Sequence, residues 1–205
     1  MQVIEYIVTI HFKKETEDML DYIVLGIVSE QAMTGYDIQK CIENGIGMFY
    51  KASYGSIYPI LSKLLKKEFV TCIDEVQGKR VKKNYKITAA GKEEFLNWLT
   101  QEDRGSMEVF MAKVFFLDQL PMQLASEKIN RYEDTLNAYC EKLKHKNKEF
   151  EQLPNRDTYY YKLSTLYYGI YKLQTAIQWC KMVKNRVELK QNIRPMEGEN
   201  VSCRR

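Results

Sequence analysis

The chain has 205 residues and a formal net charge of only +4, with 45% hydrophobic and 28% charged residues. This length fits one or two domains with a real core, and no apolar run approaches a membrane span. The five cysteines are never two residues apart and there are only two histidines, which argues against a disulfide framework, a zinc site or a metal cluster. The N-terminus lacks a signal-peptide pattern, so we expect a cytoplasmic protein. We expect no cofactor.

Residues 1–18 form a predicted N-terminal extension, either an edge strand or an extra helical turn, and Met19 could be the true translation start. The first helix is predicted over about 16–30, with Thr16 as its cap. A second helix begins near Thr34, where a Thr-x-x-Asp sequence allows reciprocal capping, and ends near Asn44 before two glycines.

The third predicted helix lies in the stretch 51–67, KASYGSIYPILSKLLKK, which has two unlike faces. One face is apolar and can be buried. Along the other face, from its N-terminal end, small side chains are followed by aromatic and then by cationic ones. Pro59 limits where the helix begins, because an interior proline forfeits a backbone hydrogen bond. Ser56 as the N-cap would place Pro59 in the first turn, and Ser53 is the competing cap.

Two strands, 70–76 and 81–87, are predicted to form a hairpin with a cationic tip. Thr88 then caps a fourth helix in which Phe95, Leu96, Trp98 and Leu99 are core candidates. Nine basic and three acidic residues between Lys51 and Lys86 give this segment a net charge of +6. The predicted fold is therefore mainly α with a small β-hairpin: a winged helix-turn-helix over 19–100, whose third helix would enter the major groove.

Four segments of this region resemble the PadR family of bacterial transcriptional regulators. They are LDYIVLGIV (20–28), TGYDI (34–38), SYGSIYPILSKL (53–64) and YKITAAG (85–91). The chain departs from the family pattern at Phe69, where we expect a glycine after the third helix. The resemblance implies a dimeric repressor or activator that binds a palindromic operator, and a helical C-terminal domain that forms the dimer.

The resemblance also implies which residues bind DNA. The recognition element would comprise Tyr36, Lys51, Ser53, Tyr54, Ser56, Tyr58, Pro59 and Lys63, and the wing would contribute Lys79, Arg80 and Lys82. Tyr36 could instead be a core tyrosine, and the wing lysines could form an ordinary solvated turn. Some relatives respond to small aromatic ligands, which the tyrosines with Trp98 and Trp179 could bind, although aromatic residues at helical spacing more often belong to the core.

The C-terminal half, 107–189, predicts a helical, coiled-coil-like dimerisation domain after a polar linker at 101–106. One heptad pattern runs along 129–150, interrupted by Lys146, and another along 163–187, where extra tyrosines widen the apolar face. A two-fold four-helix arrangement would cover this face, and the alternative is packing of helix 107–118 in the same chain. Residues 190–205 are a predicted flexible tail. The predicted dimer contacts are Tyr132, Leu136, Tyr139, Leu143, Leu163, Leu166, Ile170, Leu173 and Ile177.

The pattern as a whole predicts a sequence-specific regulator that binds double-stranded DNA as a homodimer. The resemblance implies that it represses transcription and is released by a small-molecule ligand. An activator of the same fold is the nearest alternative, and a winged-helix module that binds only proteins is another. An enzyme is the weakest hypothesis, because the sequence contains no carboxylate pair, nucleophile–base couple or phosphate loop.

Overall fold

The structure, a computed structural model, describes residues 19–48, 54–77, 80–102, 107–152 and 156–186. It is mainly helical with one small antiparallel sheet, which confirms the predicted fold class. The chain divides into two compact units, Met1–Ala125 and Ser126–Arg205. In the part of the chain that is described, no helix is both long enough and apolar enough to cross a membrane. The predicted extension (1–18) and tail (190–205) lie outside the described residues.

The first unit contains most of the elements. They are α1 (19–30), β1 (Met33–Thr34), α2 (Gly35–Asn44), α3 (Tyr54–Lys66), β2 (Val70–Gln77), β3 (Arg80–Ile87), α4 (Ala89–Thr100) and α5 (Met107–Val114). The helix α6 (Met122–Glu151) begins in this unit and forms most of the second unit together with α7 (Tyr160–Lys184). The Thr16 cap predicted for the first helix lies outside the described residues.

The start of α2 confirms the predicted Thr-x-x-Asp cap. The Asp37 backbone N–H donates to Thr34 Oγ1 at 3.2 Å. The Asp37 carboxylate accepts from the Thr34 hydroxyl at 2.7 Å, rather than from the Thr34 backbone as predicted. This arrangement satisfies one of the helix's free N–H groups and places a carboxylate in the first turn, where it complements the helix dipole.

The helix α3 begins at Tyr54, so Pro59 lies inside it and the predicted Ser56 cap is wrong. The structure agrees with the competing start, one residue after Ser53. Pro59 cannot donate a hydrogen bond to the carbonyl of Gly55, four residues earlier. Gly55 is exposed, and a β-carbon built there would meet no atom within 4 Å.

The turn that ends α3 has a left-handed residue at Glu68, with φ of 58°. The Glu68 N–H donates to the Leu65 carbonyl and the Phe69 N–H donates to the Leu64 carbonyl, both at 3.0 Å. This pair of bonds is a Schellman motif, whose left-handed position favours glycine. The turn therefore favours glycine at Glu68, whereas the family pattern placed the departure at Phe69.

Replacing Glu68 by glycine should stabilise the protein by about 1 kcal/mol, because a side chain disfavours the left-handed conformation by roughly that amount. The melting temperature should rise by about 2–4 °C in a thermal scan. Glu93→Gly is the matched control, since it removes the same side chain from an exposed helix interior and should lower stability. Equal shifts for both variants would contradict the assigned role of Glu68.

The predicted hairpin is confirmed. Its strands pair in register from Val70 opposite Ile87 to Gln77 opposite Arg80, and the intervening tip residues lie outside the described chain. The sheet also has a third strand, because β1 pairs with β3 on the side away from β2. Two residues are too short to show an alternating pattern, which is why β1 could not be predicted from the sequence.

The predicted Thr88 cap of α4 is also confirmed and has a second role. Thr88 Oγ1 accepts from the Gly91 N–H at 3.0 Å, and its hydroxyl also donates to the Glu68 carbonyl at 2.8 Å. The Thr88 N–H donates to the Phe69 carbonyl at 3.0 Å. These bonds tie the start of α4 to the end of α3, so that α3 and the hairpin have a common anchor.

In the second unit, α6 and α7 run antiparallel, since Lys184 Nζ lies 2.9 Å from Glu133 Oε2 and the Tyr167 hydroxyl donates to Glu151. The buried side of α6 is wider than the predicted seam. It includes the predicted Ile129, Tyr132 and Leu136 and adds Lys128, Glu133 and Cys140, whereas Tyr139, Lys146 and Phe150 are exposed.

Tyr139 is 51% exposed in the single chain, so its assignment to the seam stays a prediction. Glu133 takes a buried position that its charge did not suggest. Of the residues predicted to form the dimer, Tyr132, Leu136, Leu163, Ile170 and Ile177 are already buried in the single chain, and Leu143, Leu166 and Leu173 are half-buried. Their role in a dimer stays a prediction.

Candidate DNA-binding surface

The helix α3 buries one face and exposes the other, as its sequence predicts. Ile57, Leu61 and Leu64 are almost completely buried. Tyr58 is 58% exposed, and Pro59 is exposed beside it. The apolar face anchors the helix to the unit, and the outer face is available to a partner.

Gly35 and Tyr58 meet at the outer surface of the unit. A β-carbon built at Gly35 would lie 3.0 Å from Tyr58 Cε1, so the glycine allows the tyrosine ring to approach α2. The neighbouring Tyr36 is 51% exposed, with the Lys40 ammonium 4.6 Å from its ring centroid. The alternative that Tyr36 is a core residue is therefore wrong, and two exposed tyrosines flank Gly35.

A groove of about 520 Å³ joins this surface to the wing. Its lining comes from the start of α2, from α3 and from β3, and consists of Thr34, Gly35, Tyr36, Asp37, Tyr58, Lys82, Lys83 and Tyr85. Residues with hydroxyl groups and two lysines therefore border a common space. Lys83 and Tyr85 were not among the predicted site residues, although Tyr85 lies in the motif that indicated the family.

Tyr85 forms the buried wall of this groove. Burial raises the pKa of its phenol, and Cys72, Tyr58 and Asp74 raise it further. The phenol therefore stays protonated at neutral pH and can donate a hydrogen bond.

Lys63, predicted to hold a phosphate, has a partner within the protein. Its ammonium nitrogen lies 2.6 Å from Asp21 Oδ2, and the Asp21 side chain is only 8% exposed. Lys63 thus compensates a nearly buried carboxylate on α1. A DNA contact from Lys63 stays a prediction, and any such contact would share the ammonium group with Asp21.

Lys63→Met should lower the free energy of unfolding by about 2 kcal/mol, because it leaves the Asp21 carboxylate buried without its cation. Lys66→Met on the same helix is the control, since Lys66 is exposed and its replacement should change stability little. Urea denaturation measures both values. A similar small effect from the two variants would show that the Asp21 contact contributes nothing to stability.

The other predicted contacts are distributed unevenly. Lys82 is exposed and lines the groove, and Ser56 is half-buried on α3. Tyr54 and Arg80 are the first residues of α3 and β3. Lys51, Ser53 and Lys79 lie outside the described residues.

Trp98, suggested as part of an aromatic ligand pocket, belongs to the core. It is buried and stacks on Tyr22 with ring centroids 4.9 Å apart. The Lys113 ammonium lies 5.3 Å from its ring centroid on the buried side of α5. This stacking accounts for its burial without a ligand.

Comparison with known proteins identifies the family of the chain. The profile described as the transcriptional regulator PadR-like family matches residues 24–97, and one described as virulence activator alpha C-term matches residues 108–188. The negative transcriptional regulator PadR of Bacillus subtilis (strain 168) is 32% identical over 139 residues, which are 66% of this chain and 75% of that protein.

Two solved structures are also similar. The crystal structure of Bacillus subtilis PadR in complex with operator DNA is 25% identical, with a TM-score of 0.41 over 82% of this chain and 99% of that chain. The complex of the same protein with p-coumaric acid is 22% identical, with a TM-score of 0.38 over 83% and 96%. The curated relative is named a regulator rather than an enzyme, which agrees with the expectation of a non-enzymatic protein. Because 32% identity extends over three quarters of that relative, the chain belongs to the PadR-like family of transcriptional regulators.

Proposed function

We propose that this regulator is a repressor that binds a palindromic operator as a homodimer. The observation that carries the proposal is the groove at Tyr36, Tyr58, Lys82 and Lys83, beside the outer face of α3. Ammonium groups at such a surface can neutralise phosphates and position the protein. Exposed hydroxyls on a helix that enters the major groove can contact bases and sugars.

Repression is favoured over activation by the name of the relative, which is a negative transcriptional regulator. PadR from Bacillus subtilis has been crystallised with operator DNA. The alternative of a module that binds only proteins has no comparable support from the named relatives.

Homodimer formation is supported by the second unit. Tyr161, Tyr168 and Tyr171 on α7 are 83%, 69% and 68% exposed. Tyr139 and Phe150 on α6 are exposed as well. Such aromatic residues are enriched in subunit interfaces, and a two-fold dimer would present two copies of α3 about one helical turn of DNA apart.

A gel-shift titration with the DNA upstream of the protein's own gene tests the proposal, with light scattering to give the mass. We expect a dimer that binds in a salt-sensitive way and protects a palindromic site. A monomer, or no binding to this DNA or to neighbouring promoters, would overturn it. Charge reversal of exposed α3 residues that leaves regulation intact would favour the protein-binding module.

Release by a small aromatic ligand stays a prediction. Adding phenolic acids to the preformed protein–DNA complex, with benzoate as a simpler acid for comparison, would measure it directly. A dose-dependent loss of the shifted band with one acid is expected, and identical behaviour with every acid would indicate a non-specific effect.

A further inference from the structure

The wing contains acids that lie directly opposite its groove-lining lysines. In the β2–β3 register, Asp74 is the partner of Lys83 and Glu75 is the partner of Lys82. All four side chains are exposed. Directly opposite residues in an antiparallel pair have β-carbons roughly 4.5–5.5 Å apart. Each of the two acids therefore has a lysine as its direct cross-strand neighbour.

The Glu75 carboxylate is held in place by a neighbour. Asn84 Nδ2 donates to Glu75 Oε2 at 2.6 Å. The alternation of a strand puts Glu75, Lys82 and Asn84 on one face of the hairpin. This hydrogen bond keeps the carboxylate on the same face as the Lys82 side chain.

The charge of Asp74 extends to the groove itself. Burial is the main reason that the Tyr85 pKa is raised, and Asp74 is one of the charges that raise it further. Tyr85 and Lys83 lie on the same face of β3, two residues apart, and both line the groove. The carboxylate thus acts on the wall that we propose DNA approaches.

Farther from the hairpin tip the pattern is different. Lys86 lies opposite the neutral Thr71, and it is not among the residues that line the groove. The two strand lysines that line the groove, Lys82 and Lys83, therefore each lie opposite an acid. Lys86, which does not line the groove, lies opposite a neutral residue.

We propose that Asp74 and Glu75 hold down the sequence-independent affinity of the wing for DNA, by offsetting the charge of Lys83 and Lys82. This inference rests on the proposed DNA-binding function and adds a role for residues outside the predicted site. Non-specific binding depends almost entirely on phosphate neutralisation, and a genome offers a vast excess of non-specific sites. A wing with weaker net charge shortens the time that the regulator spends on each non-specific site.

The test compares Asp74→Asn/Glu75→Gln with the wild type on a scrambled duplex and on the upstream DNA of the same length. Both substitutions keep the side-chain size, and glutamine keeps an oxygen that can accept from Asn84. We expect binding to both duplexes to tighten by about tenfold at 0.1 M salt. The slope of log K against log salt should steepen by roughly one to two units. Glu93→Gln/Glu102→Gln removes two exposed acids outside the hairpin and is the matched control.

A thermodynamic cycle identifies the lysine that responds. Asp74→Asn should tighten binding much less when Lys83 is already replaced by glutamine than in the wild type, because the two residues form one charge pair. The inference would be overturned if Asp74→Asn tightened binding equally without Lys83, if the control pair gave an equal gain, or if the gain were confined to the upstream DNA. The proposed function would still stand in each case. Absence of DNA binding by the wild-type protein would instead overturn the proposed function, and the inference with it.

Discussion

Replacing both Lys82 and Lys83 by alanine should weaken binding to every duplex DNA by about tenfold at 0.1 M salt. Each lysine that contacts a phosphate releases at most roughly one counterion and the opposing acids offset part of this, so the slope of log K against log salt should flatten by about 1 unit. Both side chains are exposed and line the groove beside Tyr58. Fluorescence anisotropy over a salt series measures the affinity and the slope together.

The control for this pair is Lys146→Ala/Lys148→Ala, which removes two exposed charges from α6. It changes the net charge by the same amount and should leave the slope nearly unchanged. An equal loss in both variants would show that overall charge, rather than the wing, controls affinity. A loss that depends on the base sequence would assign base reading to the wing, against our proposal.

Gly91→Ala should lower the free energy of unfolding by about 2–3 kcal/mol and the melting temperature by roughly 5–10 °C. A β-carbon at Gly91 would lie 2.0 Å from the Phe69 carbonyl oxygen. That carbonyl cannot move away freely, because it accepts from the Thr88 N–H at 3.0 Å. The clash should therefore displace the end of α3 from the start of α4.

Gly55→Ala is the control for Gly91→Ala, and an opposite sign is expected. No atom lies within 4 Å of a β-carbon built at Gly55, and the residue is in α3. Alanine is the better helix former, so this variant should be neutral or more stable. If Gly91→Ala were as stable as the wild type, the close approach between α4 and the turn at Phe69 would be contradicted.

Local signals in the sequence were enough to predict most of the winged helix. The caps at Thr34 and Thr88 depend on side chains within three residues of each helix start. The hairpin follows from two strand-like runs around a short turn, and the faces of α3 follow from helical spacing. Each of these features depends on neighbours in the chain, which is why spacing alone predicts it.

The site itself depends on contacts between distant residues, and here prediction was incomplete. The contact of Lys63 with Asp21, which is far away in the sequence, could not be predicted from spacing. The exposure of Tyr36 was undecided from sequence, and the groove arises from three elements that meet in space. The sequence likewise left open whether α3 begins after Ser53 or after Ser56, and the structure has it begin at Tyr54.

The second unit shows the same division. Heptad spacing predicted the two long helices, because it requires only that apolar residues recur at regular intervals along the chain. Tertiary structure decided which residues fill the seam: Glu133 could take a core position only because Lys184, on the other helix, lies 2.9 Å away to compensate its charge. A hydrophobic pattern cannot report such a pair, since the cost of burying a carboxylate depends on a partner that only the folded chain brings near.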